Sequence, residues 1–160
     1  GLSQGASARV GNLVGAGAEA QARRSATLAL ALGAGVMVLS ALAFVVLQWW
    51  LPRLYTSDPE VVALAASILP IAAAFQLFDG TQAVGGGILR GLGATRPAAV
   101  FNLVGYYALA LPLSAVAVLH LGLGLQGLWW GLCVGLAAIA SALVWWIRRR
   151  ASYRPRVLPP

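Results

Sequence analysis

Asp79 is a carboxylate set in a long apolar stretch, and an ionisable side chain persists there mainly where it faces a cavity or a partner. It stands eleven residues before Arg90. At about 1.5 Å per residue that is roughly 16 Å inside the basic end of the segment, close to the midplane of a bilayer about 30 Å thick. Gln76, Asp79, Ala83 and Gly86 follow steps of three, four and three, so they share one helical face, with Gln82 beside it. On a later apolar stretch Tyr106 stands ten residues after Arg96, at nearly the same depth, and Asn102 one turn earlier extends the polar face. Such a set offers a protonatable carboxylate with amide and phenol neighbours, lining a substrate or ion cavity. The competing reading is a structural acid hydrogen-bonded between helices, and Asn102, Tyr106 and Tyr107 equally suit interhelical glue.

Other chemistries are poorly supplied. Cys133 and His120 are the only residues of their types, so one chain cannot build a disulfide, a zinc site or a haem site, and no cofactor is expected. The glycines at 11, 15 and 17 lack the lysine and the preceding strand of a phosphate loop and read instead as close helix packing followed by a helix exit.

The elements that must position Asp79 follow from composition. Of 160 residues, 60% are hydrophobic and 9% charged, against a soluble norm of about 25% charged. Mean hydropathy is +0.82, and four acids (Glu19, Asp58, Glu60, Asp79) with eleven arginines cannot clothe a water-soluble globule. The solvent is lipid, and the predicted fold is an all-α, polytopic transmembrane helix bundle. Gly1 to Gly17 reads as the inner end of a cut helix, because it reaches roughly 25 Å at most. A polar joint, Ala18 to Arg24, precedes a charge-free span from Ser25 to Leu51 that closes on Trp49 and Trp50.

Ser57-Asp58-Pro59-Glu60 has the N-cap, first-turn proline and early acid of a helix start. From there a span runs to Leu89, interrupted by Pro70. A Gly/Pro loop, Arg90 to Pro97, leads to a span from Ala98 to Leu119 containing Pro112, and a last span covers Gly127 to Ile147. Glycines at 127, 131 and 135 give that last span a small-xxx-small face for close packing. Residues 1–150 are thus one partial and four full spanning helices, and 151–160 a cytoplasmic tail without a core to join.

Nine arginines (23, 24, 90, 96, 148, 149, 150, 154 and 156) fall on alternate connections at one side and only Arg53 on the other. Because cytoplasmic loops are enriched in arginine, the carboxyl terminus is expected in the cytoplasm. The basic tail reads as a topology anchor facing anionic lipid, with no nucleic-acid partner implied.

The ordered motifs resemble the multidrug and toxic compound extrusion (MATE) family. They are Arg9-Val10-Gly11-Asn12 with Gly15-Ala16-Gly17, Gln76-Leu77-Phe78-Asp79-Gly80 with Gly87-Ile88-Leu89-Arg90-Gly91-Leu92-Gly93, and Asn102-Leu103-Val104-Gly105-Tyr106-Tyr107 with Leu111-Pro112-Leu113. The resemblance implies that the chain is the eighth to twelfth helices of a twelve-helix, two-lobe secondary antiporter, without the amino-terminal lobe and the seventh helix. It also implies export of drugs or organic, often cationic, compounds in exchange for H+ or Na+ across a bacterial inner membrane, with no bond chemistry. Asp79 matches the family's coupling acid and is the one candidate metal ligand, for Na+ alone. Gln76, Asn102 and Tyr106 join it as cation-coupling or substrate-binding candidates. Sodium-binding members carry a tyrosine one turn before that acid, where Phe75 stands here. The alternatives are a lipid-linked or polysaccharide flippase, or a non-transporting membrane scaffold.

Overall fold

Lipid cannot pair with backbone N–H and C=O groups, so each spanning segment has to satisfy its own, and this chain does so in helices. The computed structural model describes residues 1–149, Ala151 and Tyr153. The helices are α1 (Leu2–Gly15), α2 (Glu19–Val46), α3 (Pro59–Gly91), α4 (Thr95–Val104), α5 (Leu111–Leu119) and α6 (Gly124–Arg149). A π-helical segment, Gly105–Ala110, joins α4 to α5 in one continuous span, and a short 3-10 turn covers Pro52–Leu54. Four spans of 28, 33, 25 and 26 residues are long and apolar enough to cross a membrane. With its 14 residues, α1 covers only about 21 Å. The protein is therefore an all-α membrane bundle of one partial and four full spans.

The local sequence explains the boundaries. Asp58 caps α3, its Oδ1 accepting the Glu60 N–H at 2.9 Å, and Pro59 occupies the first turn, where no N–H is needed. α1 and α3 end in Schellman turns. Ala18 N–H reaches the Leu13 carbonyl and Gly17 N–H that of Val14, and Ala94 and Gly93 repeat the pattern with Leu89 and Arg90. Gly17 and Gly93 sit at φ +71° and +66°, a region a β-carbon disfavours.

Three expectations are corrected. The polar joint, Ala18 to Arg24, is helical from Glu19, because a surface turn of Glu, Gln and Arg suits a helix as well as a loop. The loop expected from Arg90 to Pro97 shrinks to Leu92–Ala94, with Pro97 tolerated in the first turn of α4. Pro70 does not interrupt α3, since in a membrane segment the helix is the form that keeps its other backbone groups paired. At Pro112 the missing N–H sits just beyond the π segment, where the ladder changes register.

α3 is the hub. It packs against α1, α2 and α6, while α6 also covers the π segment and α5. Glycines set the close approaches: a β-carbon at Gly87 would strike the Ser3 carbonyl and one at Gly91 that of Ser7. Gly127, Gly131 and Gly135 of α6 lie against Ala117, Ser114 and Ala110, so the small-xxx-small face expected on this helix is its contact with α5. The buried centre joins Val10, Val84, Ile88, Leu136, Ile139 and Leu143. Leu28, Leu32, Leu39, Leu42 and Val46 of α2 are exposed and form an apolar face on this chain.

Candidate functional site

The face of α3 carrying Asp79 is the one its neighbours leave open. At about 100° per residue, Gln82 lies about 60° to one side of Asp79 and Gly87 about 80° to the other. Gln82 belongs to α4: its Nε2 donates to Asn102 Oδ1. Gly87 and Ala83 belong to α1, where Ser3 Oγ donates to the Ala83 carbonyl at 2.6 Å and accepts from Arg90 Nη2 at 2.9 Å. α1 and α4 do not pack on each other. α1 begins at Leu2, level with Ala83 to Gly87, so Asp79 lies about one turn beyond its start; it is exposed, and no hydrogen-bond or ion-pair partner meets it among the described residues.

The Gln82–Asn102 bond also fixes register. α3 and α4 run in opposite directions, so Asp79 lies about 4.5 Å beyond Gln82 and Tyr106 about 6 Å beyond Asn102 on the same side of the bond. The two share a depth, as the arginine spacing predicts. They are not hydrogen-bonded to each other. Tyr106 is half-buried and packs against the apolar core, while Asp79 is exposed. Tyr106 is the second residue of the π segment, and such wide turns shift the register of everything beyond them.

Gln76 lies one turn before Asp79 and is half-buried, and its Oε1 is enclosed without a hydrogen-bond partner. An enclosed acceptor left unpaired costs about 1–3 kcal/mol. Phe75 stacks edge-on with Trp129 of α6 at 5.7 Å between ring centroids, so this position is packed where a phenol would offer a ligand. Of the four candidates, the structure places Asn102 in a direct interhelical bond, Tyr106 against the core, Gln76 with one enclosed free acceptor and Asp79 exposed. Gln82, flanking the polar face in sequence, proves to be the bridging residue. Arg9 is tied to α2, its Nε donating to Ser25 Oγ at 2.9 Å. Among the described residues no cluster of three or more His, Cys, Asp or Glu side chains could hold a metal ion.

The MatE family model matches residues 1–116. The chain belongs to the MatE family. It is 42% identical over 156 residues to a probable multidrug resistance protein NorM of Burkholderia pseudomallei, covering 94% of this chain and 33% of that protein. It is 39% identical over 152 residues to a probable NorM of Pseudomonas aeruginosa, covering 89% and 30%. Among solved structures it superposes on the eukaryotic MATE transporter AtDTX14 with a TM-score of 0.89 and 27% identity, over 96% of this chain and 34% of that one. An inward-facing multidrug resistance MATE transporter of the MOP superfamily shares the fold, at TM-score 0.87 and 23% identity. The chain thus spans about a third of the length of the relatives it matches.

Proposed function

We propose that the full-length protein containing this chain is a secondary antiporter that exports organic, often cationic, compounds in exchange for H+ or Na+. The observation that carries the reading is Asp79: a mid-span carboxylate, exposed and without a partner among the described residues, on a face of α3 beyond the start of α1. An intramembrane acid on an open face is suited to bind a cation and release it as the cavity faces either side. Gln76, with a free enclosed carbonyl, and the Gln82–Asn102 pair supply neutral oxygens and amides at the same level. The probable multidrug resistance proteins among its relatives support the substrate class. Charge on Asp79 would bias two lobes between inward-facing and outward-facing forms, so the lobe beyond this chain is a necessary partner. No bond is made or broken, and no cofactor takes part.

The test is reconstitution. Full-length protein in proteoliposomes should move a fluorescent organic cation when a proton or sodium gradient is imposed, and the 160-residue chain alone should not. Gradient-driven export by the isolated chain would overturn the two-lobe mechanism.

Orientation follows from the arginine imbalance, although Arg150, Arg154 and Arg156 lie outside the described residues, as does most of the 151–160 tail. The α1–α2 and α3–α4 turns and the carboxyl terminus are expected in the cytoplasm of a bacterium's inner membrane. In a Cys133→Ala background, a cysteine replacing Ser57 should react with an impermeant maleimide from outside the cell. Labelling from the cytoplasmic side alone would reverse the topology.

A further inference from the structure

Transport chemistry at Asp79 leaves the opposite side of α3 unused. Thr81, two residues on and about 200° round the helix, lies in the wall of a cavity of about 350 Å³ between α2, α3 and α6. Arg23, in the second turn of α2, and Arg148, in the last turn of α6, stand at one end of that cavity, whereas Leu30, Ala34 and Val144 line the rest. The groove is cationic at one end and apolar along its length.

Its cationic end is built. The Arg23 guanidinium lies 5.0 Å from the centroid of the Tyr153 ring, and Tyr153 itself is only 4% exposed. Burial pushes the Tyr153 phenol up more than the Arg23 charge draws it down, so the ring under the guanidinium stays neutral. Tyr153 was expected in a tail with no core to join; instead it packs into the core cluster, and Ala151 N–H is bonded to the Trp146 carbonyl at 2.9 Å.

The threonine hydroxyls in the wall have already spent their protons. Thr27 Oγ1 donates to the Arg23 carbonyl at 3.1 Å and Thr81 Oγ1 to the Leu77 carbonyl at 2.8 Å. Among the described wall residues, the donors left for a ligand are the guanidinium N–H groups and the Tyr153 hydroxyl. No carboxylate lines the cavity among the described residues: Asp58 and Glu60 lie at the far end of α3, Asp79 is across the helix, and Glu19, one turn before Arg23, is outside the wall.

We propose that this groove binds an anionic phospholipid, its phosphate held between Arg23 and Arg148 and an acyl chain lying along Leu30, Ala34 and Val144. Guanidinium forks match phosphate oxygens, and basic pockets between helices at a membrane surface suit anionic headgroups. The apolar wall distinguishes a lipid from a soluble anion, because only the lipid gains by covering it. Bound there, the lipid ties the start of α2 to the end of α6.

The experiment uses the full-length protein in neutral detergent, with thermal unfolding and native mass spectrometry as readouts. Dioleoylphosphatidylglycerol should raise the melting midpoint and remain bound as an adduct, and dioleoylphosphatidylcholine should do neither. Arg23→Gln with Arg148→Gln should weaken phosphatidylglycerol retention about 30-fold, whereas Arg53→Gln at the other end should leave it unchanged. If the double variant fails to fold, Ala31→Phe narrows the groove with both arginines in place and should abolish the same response. A phosphatidylglycerol response that survives in either folded variant overturns the proposal, and so does inorganic phosphate reproducing the shift by itself.

Discussion

Gly131→Val is expected to unfold the α5–α6 contact and strip the protein from the folded pool. A β-carbon at Gly131 would overlap the backbone nitrogen, the Cα and the Oγ of Ser114, and two of those atoms cannot rotate away. The helices must separate instead. Separation also breaks the bond that the buried Ser114 Oγ donates to the Leu128 carbonyl at 3.0 Å, and it loosens Gly135 against Ala110 and Gly127 against Ala117 on the same face. Overpacking alone costs about 1–3 kcal/mol, and a lost hydrogen bond with its stranded Ser114 hydroxyl adds about 1–3 kcal/mol. That total is a large share of the stability of a typical domain, about 5–15 kcal/mol. Thermal unfolding of the purified full-length protein should show a drop of many degrees, or no monodisperse protein at all. Gly35→Ala, where a β-carbon meets nothing within 4 Å, should be neutral or slightly stabilising.

The number of spans and the small-residue face of α6 were legible because both are simple patterns: runs of apolar residues, and glycines four apart. The shared level of Asp79 and Tyr106 was legible for the same reason, since arginines mark the ends of spans and rise per residue converts spacing to ångströms. Partnership was not. Two amides and a phenol at one level can pair in several ways, and rotation about each helix decides which. The Gln82–Asn102 bond and the packing of Tyr106 emerge only when α3 and α4 are brought together. The π segment, whose cause lies partly in Pro112, adds a register shift that counting by 3.6 residues per turn does not anticipate. Tyr153 was missed because a proline-rich tail has no periodicity, although its aromatic ring after a run of arginines was the available signal.

Asp79→Asn is the other substitution with a large expected effect, and it acts on function where Gly131→Val acts on folding. Asparagine keeps the size of the side chain and much of its hydrogen-bonding capacity, and Asp79 makes no described contact that the change would break. Insertion and folding should therefore be near normal, with a melting midpoint close to that of the unaltered protein. What disappears is a group that can carry one negative charge or one proton. An antiporter that couples through this acid loses the difference in cation affinity on which its two states depend. Gln82→Ala, by contrast, should cost stability through the stranded Asn102 amide while leaving the coupling charge in place.

The most direct measurement is the initial rate of organic-cation export by full-length Asp79→Asn in proteoliposomes under an imposed proton or sodium gradient, normalised to inserted protein. The account predicts a rate no higher than that of protein-free vesicles, with insertion and melting unchanged. Export at the rate of the unaltered protein would contradict it, making Asp79 a structural residue and moving the coupling outside this chain.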